Sequence, residues 1–366
     1  MGDLRAASRR IREGMERAVS AGIGSGMAAS FGRIDDLLAG REPLEIYAGR
    51  TSLVPGSDEV GPRTVFDCAS LTKILATTLL AMKRFEEGRF GLDSKPFAGL
   101  EVTPRQLLLH ASGLPAWKPF YEALIREFGT GLQSVPPALR AELFFRELEA
   151  VGPEADPGLK IVYSDLGFLR LGRFLSQDLW RDCADLWFRV PGLGLHFRPV
   201  IRPALEERML ARERGESVAM TELCPWRGLL SGQVHDDNAY SLGGVAGHAG
   251  VFGSLPDLHR WIRGLFSGAF VSMKTLREFS TPWSDGQGGV RALGFDCPSS
   301  DGSGSTGCAF SSRSIGHLGF TGTSLWMDLL TGSYAILLTN RVHPDRNDVR
   351  IREFRRDFHE ELRQWL

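Results

Sequence analysis

Residues 69–88 read ASLTKILATTLLAMKRFEEG. From Ile74 to Met82 almost every position is apolar, and polar residues return only at Lys83. The spacing predicts a helix with no solvent face, closed by Gly88 as a C-cap and buried between layers or between domains. Two polar residues enter this run together. Ser70 and Lys73 are offset by three, so a helix puts both on one face within reach of each other. Ser70 falls at the helix N-terminus, where the dipole favours developing negative charge. Lys73 falls in apolar surroundings, and burial is expected to lower its pKa towards that of a usable base. A serine hydroxyl needs such a neighbour to act as a nucleophile at neutral pH. With 29 Ser and 6 Lys in 366 residues, chance supplies about half of one such pair. A Ser cap followed by a lysine that snorkels outward is the bland alternative.

The rest of the chain arranges itself around this segment. Leu4, Ala7, Ile11, Met15 and Val19 make an amphipathic N-terminal helix, and Ile351, Phe354, Phe358, Leu362 and Trp365 make a C-terminal one. SGMAASFGRI and PLEIYAGR read as two early strands; TSLWMD and SYAILLTNR read as a late hairpin turning at Gly332. The middle, roughly 70–265, is helix-rich, with PRQLLLHASG and SDLGFLRLGRFLSQ as shorter helices and Asp165 at an N-cap position. Residues 299–314, SSDGSGSTGCAFSSRS, have the composition of a mobile loop. The fold class expected is α/β (α+β): an antiparallel sheet built from both chain ends and covered by both terminal helices, with an inserted all-helical region. The expected division is 1–92 and 250–366 for the sheet region and 93–249 for the insertion, with the active site in the cleft between them.

Composition narrows the functions. Forty-three basic against 44 acidic side chains leave a formal net charge of −1, which argues against a nucleic-acid partner. Thirty-seven of the basic residues are Arg. No apolar run is long enough for a membrane span. The five cysteines are scattered, odd in number and without CxxC spacing, so neither a disulfide framework nor a zinc site is expected. The start MGDLRAASRR is not a secretory signal. A native Met1 implies a cytoplasmic protein; a trimmed export signal would imply a periplasmic or secreted one.

Three further segments carry candidate chemistry. Tyr163-Ser164-Asp165 could project a phenol into a cleft to shuttle a proton, or simply bury an aromatic beside a cap. His317-Leu318-Gly319 opens a predicted strand, whose N–H groups could donate to an oxyanion; a surface strand end is the plain alternative. His235-Asp236-Asp237-Asn238 with Gly247-His248-Ala249-Gly250 invites a metal, but the spacing fits no standard ligand set, and a hydrogen-bonded loop is the favoured reading. Cys68 has no adjacent base and reads as a core thiol.

In this order and separation, the segments FDCASLTKILATTLL, TPRQLLLHASGLP, VYSDLGFLRLGRFL, HDDNAYSLGGVAGHAGVFGS and GHLGFTGTSLWMDLL resemble the serine β-lactamase and penicillin-binding protein superfamily, which is marked by S-x-x-K, a second polar triad and K-T-G or its variants. They are most similar to the branch of class C β-lactamases, D-aminopeptidases, esterases and muropeptide amidases. The resemblance covers most of residues 64–345. It implies a β-lactamase/transpeptidase-like fold and a serine hydrolase without metal or organic cofactor, acting on a small-molecule or short-peptide substrate through a covalent Ser70 ester. It makes Lys73 the proton acceptor or the group that tunes Tyr163, Tyr163 the shared base and acid, and His317 the orienter of the substrate carboxylate or of the phenol. The backbone N–H groups of Ser70 and Phe320 become the oxyanion hole, with Asp165, Gly319 and Thr321 as substrate-binding residues. The implied substrate is a peptidoglycan-derived amide or a D-amino-acid peptide bond. A carboxylesterase and a non-catalytic ligand-binding relative are the alternatives. Asp165 stands where many relatives have Asn and His317 where they have Lys, which weakens the expectation of β-lactam hydrolysis and of a strict C-terminal carboxylate requirement.

Overall fold

The computed structural model describes residues 2–199, 215–299, 301–363 and 365. Its main sheet has eight strands and is antiparallel throughout. The early strands Gly26–Arg33 and Ile46–Gly49 and the late hairpin Ser324–Asp328 and Ser333–Thr339 lie where the alternation put them. Gly26–Arg33 pairs with Ser333–Thr339, Met27 opposite Thr339, and so joins the two chain ends in one sheet. The hairpin turns through Gly332, whose positive φ of 72° suits a residue without a Cβ.

Period-two alternation sorts each strand between two cores. Met27, Ala29 and Phe31, with Ala335 and Leu337, face the terminal helices Gly2–Ser20 and Ile351–Leu362, where Ile11, Met15, Phe358 and Leu362 cover them. The opposite face, through Ala28, Ile336 and Leu338, packs on the larger core around residues 71–82. Each fully buried Leu, Ile or Met there contributes about 1.5–3 kcal/mol of transfer free energy.

The segment after Ser70 is buried from Leu71 to Met82, as an all-apolar helix requires. It is not a uniform α-helix. Ala69–Leu71 is a 3₁₀ turn, Lys73–Thr78 is a π-helix and Leu79–Glu86 is α-helical, ending before Gly88 at φ +68°. Trp187 Nε1 and Trp261 Nε1 both donate to the Leu75 carbonyl, at 3.0 and 3.2 Å. Thr77 Oγ1 donates to Gly247 O at 2.6 Å. These outside partners take up backbone capacity and tie the segment to three distant parts of the chain.

A second sheet of four short strands, in the order His196–Phe197, Val251–Gly253, Thr64–Asp67 and Ser217–Val218, carries the chain into Ser70. It straddles the two expected regions. The loop at 301–313 is fixed rather than free: Cys308 N donates to Glu360 Oε1 at 2.7 Å, and Ser311 N and Oγ to Asp328 at 2.9 and 2.7 Å. Composition alone could not show these long-range anchors.

Candidate active site

Ser70 is held by strain and by a buried carboxylate. Ala69 has φ +46°, a left-handed conformation that costs a non-glycine residue about 1 kcal/mol or more. It is fixed by a 2.8 Å hydrogen bond from Ala69 N to Asp67 Oδ1. Asp67 is 2% exposed and its other oxygen accepts from His235 N at 2.7 Å. Burial pushes the Asp67 pKa upward, and these two backbone donors hold it back.

Lys73 is fully buried beneath the nucleophile. Its Nζ reaches Ser70 Oγ at 3.1 Å, Tyr163 OH at 2.6 Å, Asp165 Oδ1 at 2.7 Å and the His248 carbonyl at 3.3 Å. The expected fall in its pKa does not occur. Burial does disfavour the ammonium, but Asp165 and Tyr163 outweigh it and the pKa is raised. Tyr163 OH donates to Ser70 Oγ at 2.9 Å, closing a triangle of serine, lysine and tyrosine. Burial, reinforced by the Asp165 charge, pushes the phenol up to about 12 despite Lys73 and Ser70. The resting site is therefore an ammonium, a neutral phenol and a carboxylate gathered round a serine hydroxyl.

The tyrosine segment is placed by residues the sequence did not single out. Ser164, not Asp165, is the N-cap: its Oγ accepts from Gly167 N at 3.3 Å and donates to Pro115 O at 2.7 Å. Asp165 becomes the first helical residue, and its carboxylate turns to Lys73. His110, at φ +55°, accepts from Ser164 N through Nδ1 at 2.9 Å and lies 4.6 Å from the Tyr163 ring. Arg291, ion-paired to Asp296 at 2.8 Å, sits 5.6 Å over the same ring.

His317 is the fourth of five residues in the strand Ser314–Leu318, so it closes the strand rather than opening it. Its Nδ1 lies 2.7 Å from the Leu318 carbonyl, an acceptor, so Nδ1 carries the proton. Nε2 is buried and has no hydrogen-bond partner among the described residues. Burial, then the Lys73 and Arg291 charges, lower its pKa to about 3. A neutral imidazole with an open lone pair is an acceptor and brings no positive charge to a carboxylate.

Gly319 and Phe320 follow directly. A Cβ on Gly319 would stand 2.0 Å from Thr323 Oγ1 and 2.9 Å from Cys68 O, so no side chain fits between the two strand ends. Arg341 Nε donates to Phe320 O at 2.7 Å and its guanidinium lies 4.3 Å over the phenyl ring. His235 stacks on that ring at 5.6 Å. The Phe320 backbone is thus clamped beside Ser70. Thr321 is placed elsewhere: it is fully buried and its hydroxyl donates to the Asp67 carbonyl at 2.8 Å, so it braces the nucleophile strand and does not meet the cleft.

The cleft has a volume of about 650 Å³, and Ser70, Tyr163, Asp165, His317, Gly319 and Phe320 line it. The histidine-rich patch is internally bonded. His248 Nε2 meets Asp236 Oδ1 at 2.9 Å, His235 Nε2 meets Glu222 Oε2 at 3.1 Å, and Arg227 and Arg346 pair with Asp237 at 2.7 and 3.2 Å. Among the described residues no group of His, Cys, Asp and Glu is arranged to hold a metal ion.

Known proteins share this sequence pattern and this fold. The Beta-lactamase family profile matches residues 37–360. A provisionally named D-alanyl-D-alanine carboxypeptidase of Escherichia coli K12 is 27% identical over 316 residues, covering 76% of this chain and 70% of that one. Its Salmonella typhi counterpart is 26% identical over 314 residues, with the same coverage. The D-amino acid amidase of Ochrobactrum anthropi SV3 superposes with a TM-score of 0.65 over 99% of this chain and 97% of its own, at 18% identity. Simvastatin synthase from Aspergillus terreus gives 0.68 over 98% of both chains at 17% identity. With the profile spanning nearly the whole chain, and a serine, a buried lysine and a tyrosine joined in one triangle at the cleft, the protein belongs to the Beta-lactamase family and is a serine hydrolase.

Proposed function

We propose that the protein is an acyl hydrolase that works through a covalent ester on Ser70, cleaving a peptidoglycan-derived amide or a D-amino-acid peptide bond. The observation that carries the reading is the triangle of Ser70 Oγ, Lys73 Nζ and Tyr163 OH, every side 3.1 Å or less. Ser70 Oγ attacks the scissile carbonyl. In the reactive form the Lys73–Tyr163 pair has already lost one proton, leaving the Tyr163 oxygen as the acceptor beside the ammonium; it takes the proton of Ser70 and returns it to the leaving nitrogen. The developing oxyanion is received by the N–H groups of Ser70 and Phe320. Lys73, held charged by Asp165, stabilises the negative charge on the attacking oxygen. Water then repeats the sequence on the ester and releases the acid.

His317 Nε2 and the Asp165 carboxylate both offer acceptors to the cleft, so the substrate presents N–H or O–H groups on that side. A substrate carboxylate faces instead the exposed Arg352, at the cleft edge on the C-terminal helix. The curated relatives carry the name of D-alanyl-D-alanine carboxypeptidases and one structural neighbour that of a D-amino acid amidase, which supports a small peptide or amide substrate.

The test is a substrate panel: D-alanyl-D-alanine peptides, D-amino acid amides, N-acetylmuramyl-L-alanine and p-nitrophenyl acyl esters. Turnover of one of the amides, with kcat/KM at least about tenfold above the ethyl ester of the same acyl group, supports the reading. Turnover of esters alone moves the assignment to a carboxylesterase.

A further inference from the structure

Behind the catalytic site lies a second cavity, about 410 Å³, between the helices Pro137–Glu149 and Asp165–Leu175 and the loop at 242–247. Among the described residues that line it, the one buried charge is Arg140. Arg140 is 1% exposed, and among the described residues neither its Nε nor its Nη1 has a hydrogen-bond acceptor. No carboxylate among the described residues is ion-paired to it. An isolated guanidinium away from water is costly, and proteins keep buried charges by pairing them. Gly243, at φ +95°, lies against it, with Nη2 3.4 Å from where a Cβ would stand. The remaining walls are largely apolar, with Leu169, Leu242, Val245 and Ala246 among them. Arg173 at the rim adds a second cation, 3.8 Å from Glu149 and stacked over Phe145 at 4.2 Å. Asp178, also at the rim, accepts from Arg181 N as a helix cap.

We propose that this cavity binds a small amphiphilic monoanion, with a carboxylate paired to Arg140 and an apolar body against the aliphatic walls. The guanidinium fork matches a carboxylate in two parallel hydrogen bonds. The volume suits a body of a few carbons to one ring. The site is also wired to catalysis. The loop that walls it continues through Gly247, whose carbonyl accepts from Thr77, to His248, whose carbonyl accepts from Lys73. A ligand that orders residues 243–247 fixes the backbone acceptor that positions the Lys73 ammonium.

Thermal unfolding of the full chain at low ionic strength tests this, with hexanoate, benzoate and inorganic phosphate as probes and hexylammonium as the cationic control. Hexanoate or benzoate at a hundredfold excess over its Kd should raise the wild-type Tm by about 3 °C, phosphate less, and hexylammonium not at all. Arg140→Met keeps the volume without the charge; it should fold, match or exceed the ligand-free wild type in Tm, and show no response. Val245→Phe, which fills the cavity with Arg140 intact, should also abolish the response and decides the matter if the Met variant does not fold. Equal responses in wild type and variants would place the anions elsewhere and overturn the proposal. No wild-type response to any probe would overturn it too. A loss of Tm in Arg140→Met without any wild-type response would show that a carboxylate of this chain already satisfies Arg140.

Discussion

A carboxylate 2.7 Å from a buried ammonium changes what that ammonium can do. In the wild type, Asp165 keeps Lys73 protonated and Tyr163 neutral, so the reactive form has lost one proton from that pair. The kcat/KM of a chromogenic ester should therefore rise with pH from neutrality into the alkaline range. Asp165→Asn removes the countercharge that raises the Lys73 pKa and leaves the burial that lowers it. The ascending limb should then move to lower pH, and a pH–rate profile that does not shift would contradict the assigned charges. The new amide can also donate to a substrate carbonyl, so acylation by benzylpenicillin should speed up by about tenfold, the value of one good hydrogen bond. Tyr163→Phe should lower kcat by about 10²–10⁴ at unchanged Tm, read by ester turnover beside thermal unfolding. Ser70 and Lys73 were legible because a helical offset of three is a local fact. The direction of Asp165 was not: it followed from Ser164 winning the cap, a contest settled by Pro115 and His110 from another segment.

At the scale of elements, the π-helical segment explains a feature that periodicity could not reveal. An apolar run without polar punctuation looks the same whether its turns hold 3.6 residues or more, so Lys73–Thr78 read as plain α-helix. What marks it out is the Leu75 carbonyl, which receives two indole donors. Because Trp187 and Trp261 share one acceptor, either can satisfy it alone. Trp187→Phe and Trp261→Phe should each cost about 1 kcal/mol, mostly through packing. The double variant should lose about 1 kcal/mol more than their sum, because the carbonyl has then lost both indole donors. Urea unfolding of the four proteins in the cycle measures this, and strict additivity would deny the shared role. The clamp on Phe320 is a similar case. Arg341 was invisible in the sequence because it meets Phe320 only once the strands are assembled.

At the scale of the molecule, the sheet built from both chain ends was readable, since its strands are long enough to alternate. The small sheet beneath Ser70 was not, since its strands are two to four residues long and follow tertiary contacts. Acid sensitivity also belongs to this scale. Burial opposes the charge on Glu222, but His235 and Arg346 outweigh it and hold its pKa at about 2. A carboxylate depressed on folding stabilises the protein above its unfolded pKa of about 4.5, and that stability is lost as pH falls towards 2. Burial lowers His359 to about 4 and His317 to about 3. The unfolded chain binds those protons first, so their loss of stability begins as pH drops below about 6.5. Urea midpoints should therefore decline from about pH 6.5 downward and steepen below 4.5, with Glu222→Gln flattening the lower part.

The central claim is that Ser70 forms a covalent acyl intermediate. Intact-protein mass after incubation with a fluorophosphonate, and separately with benzylpenicillin, tests it most directly beside Ser70→Ala. The wild type should carry a single fluorophosphonate adduct and the folded Ser70→Ala protein none, with penicillin labelling slow or absent because the Asp165 carboxylate cannot donate to the carbonyl of its side chain. No fluorophosphonate adduct on a well-folded wild type, or the same adduct on Ser70→Ala, would contradict it.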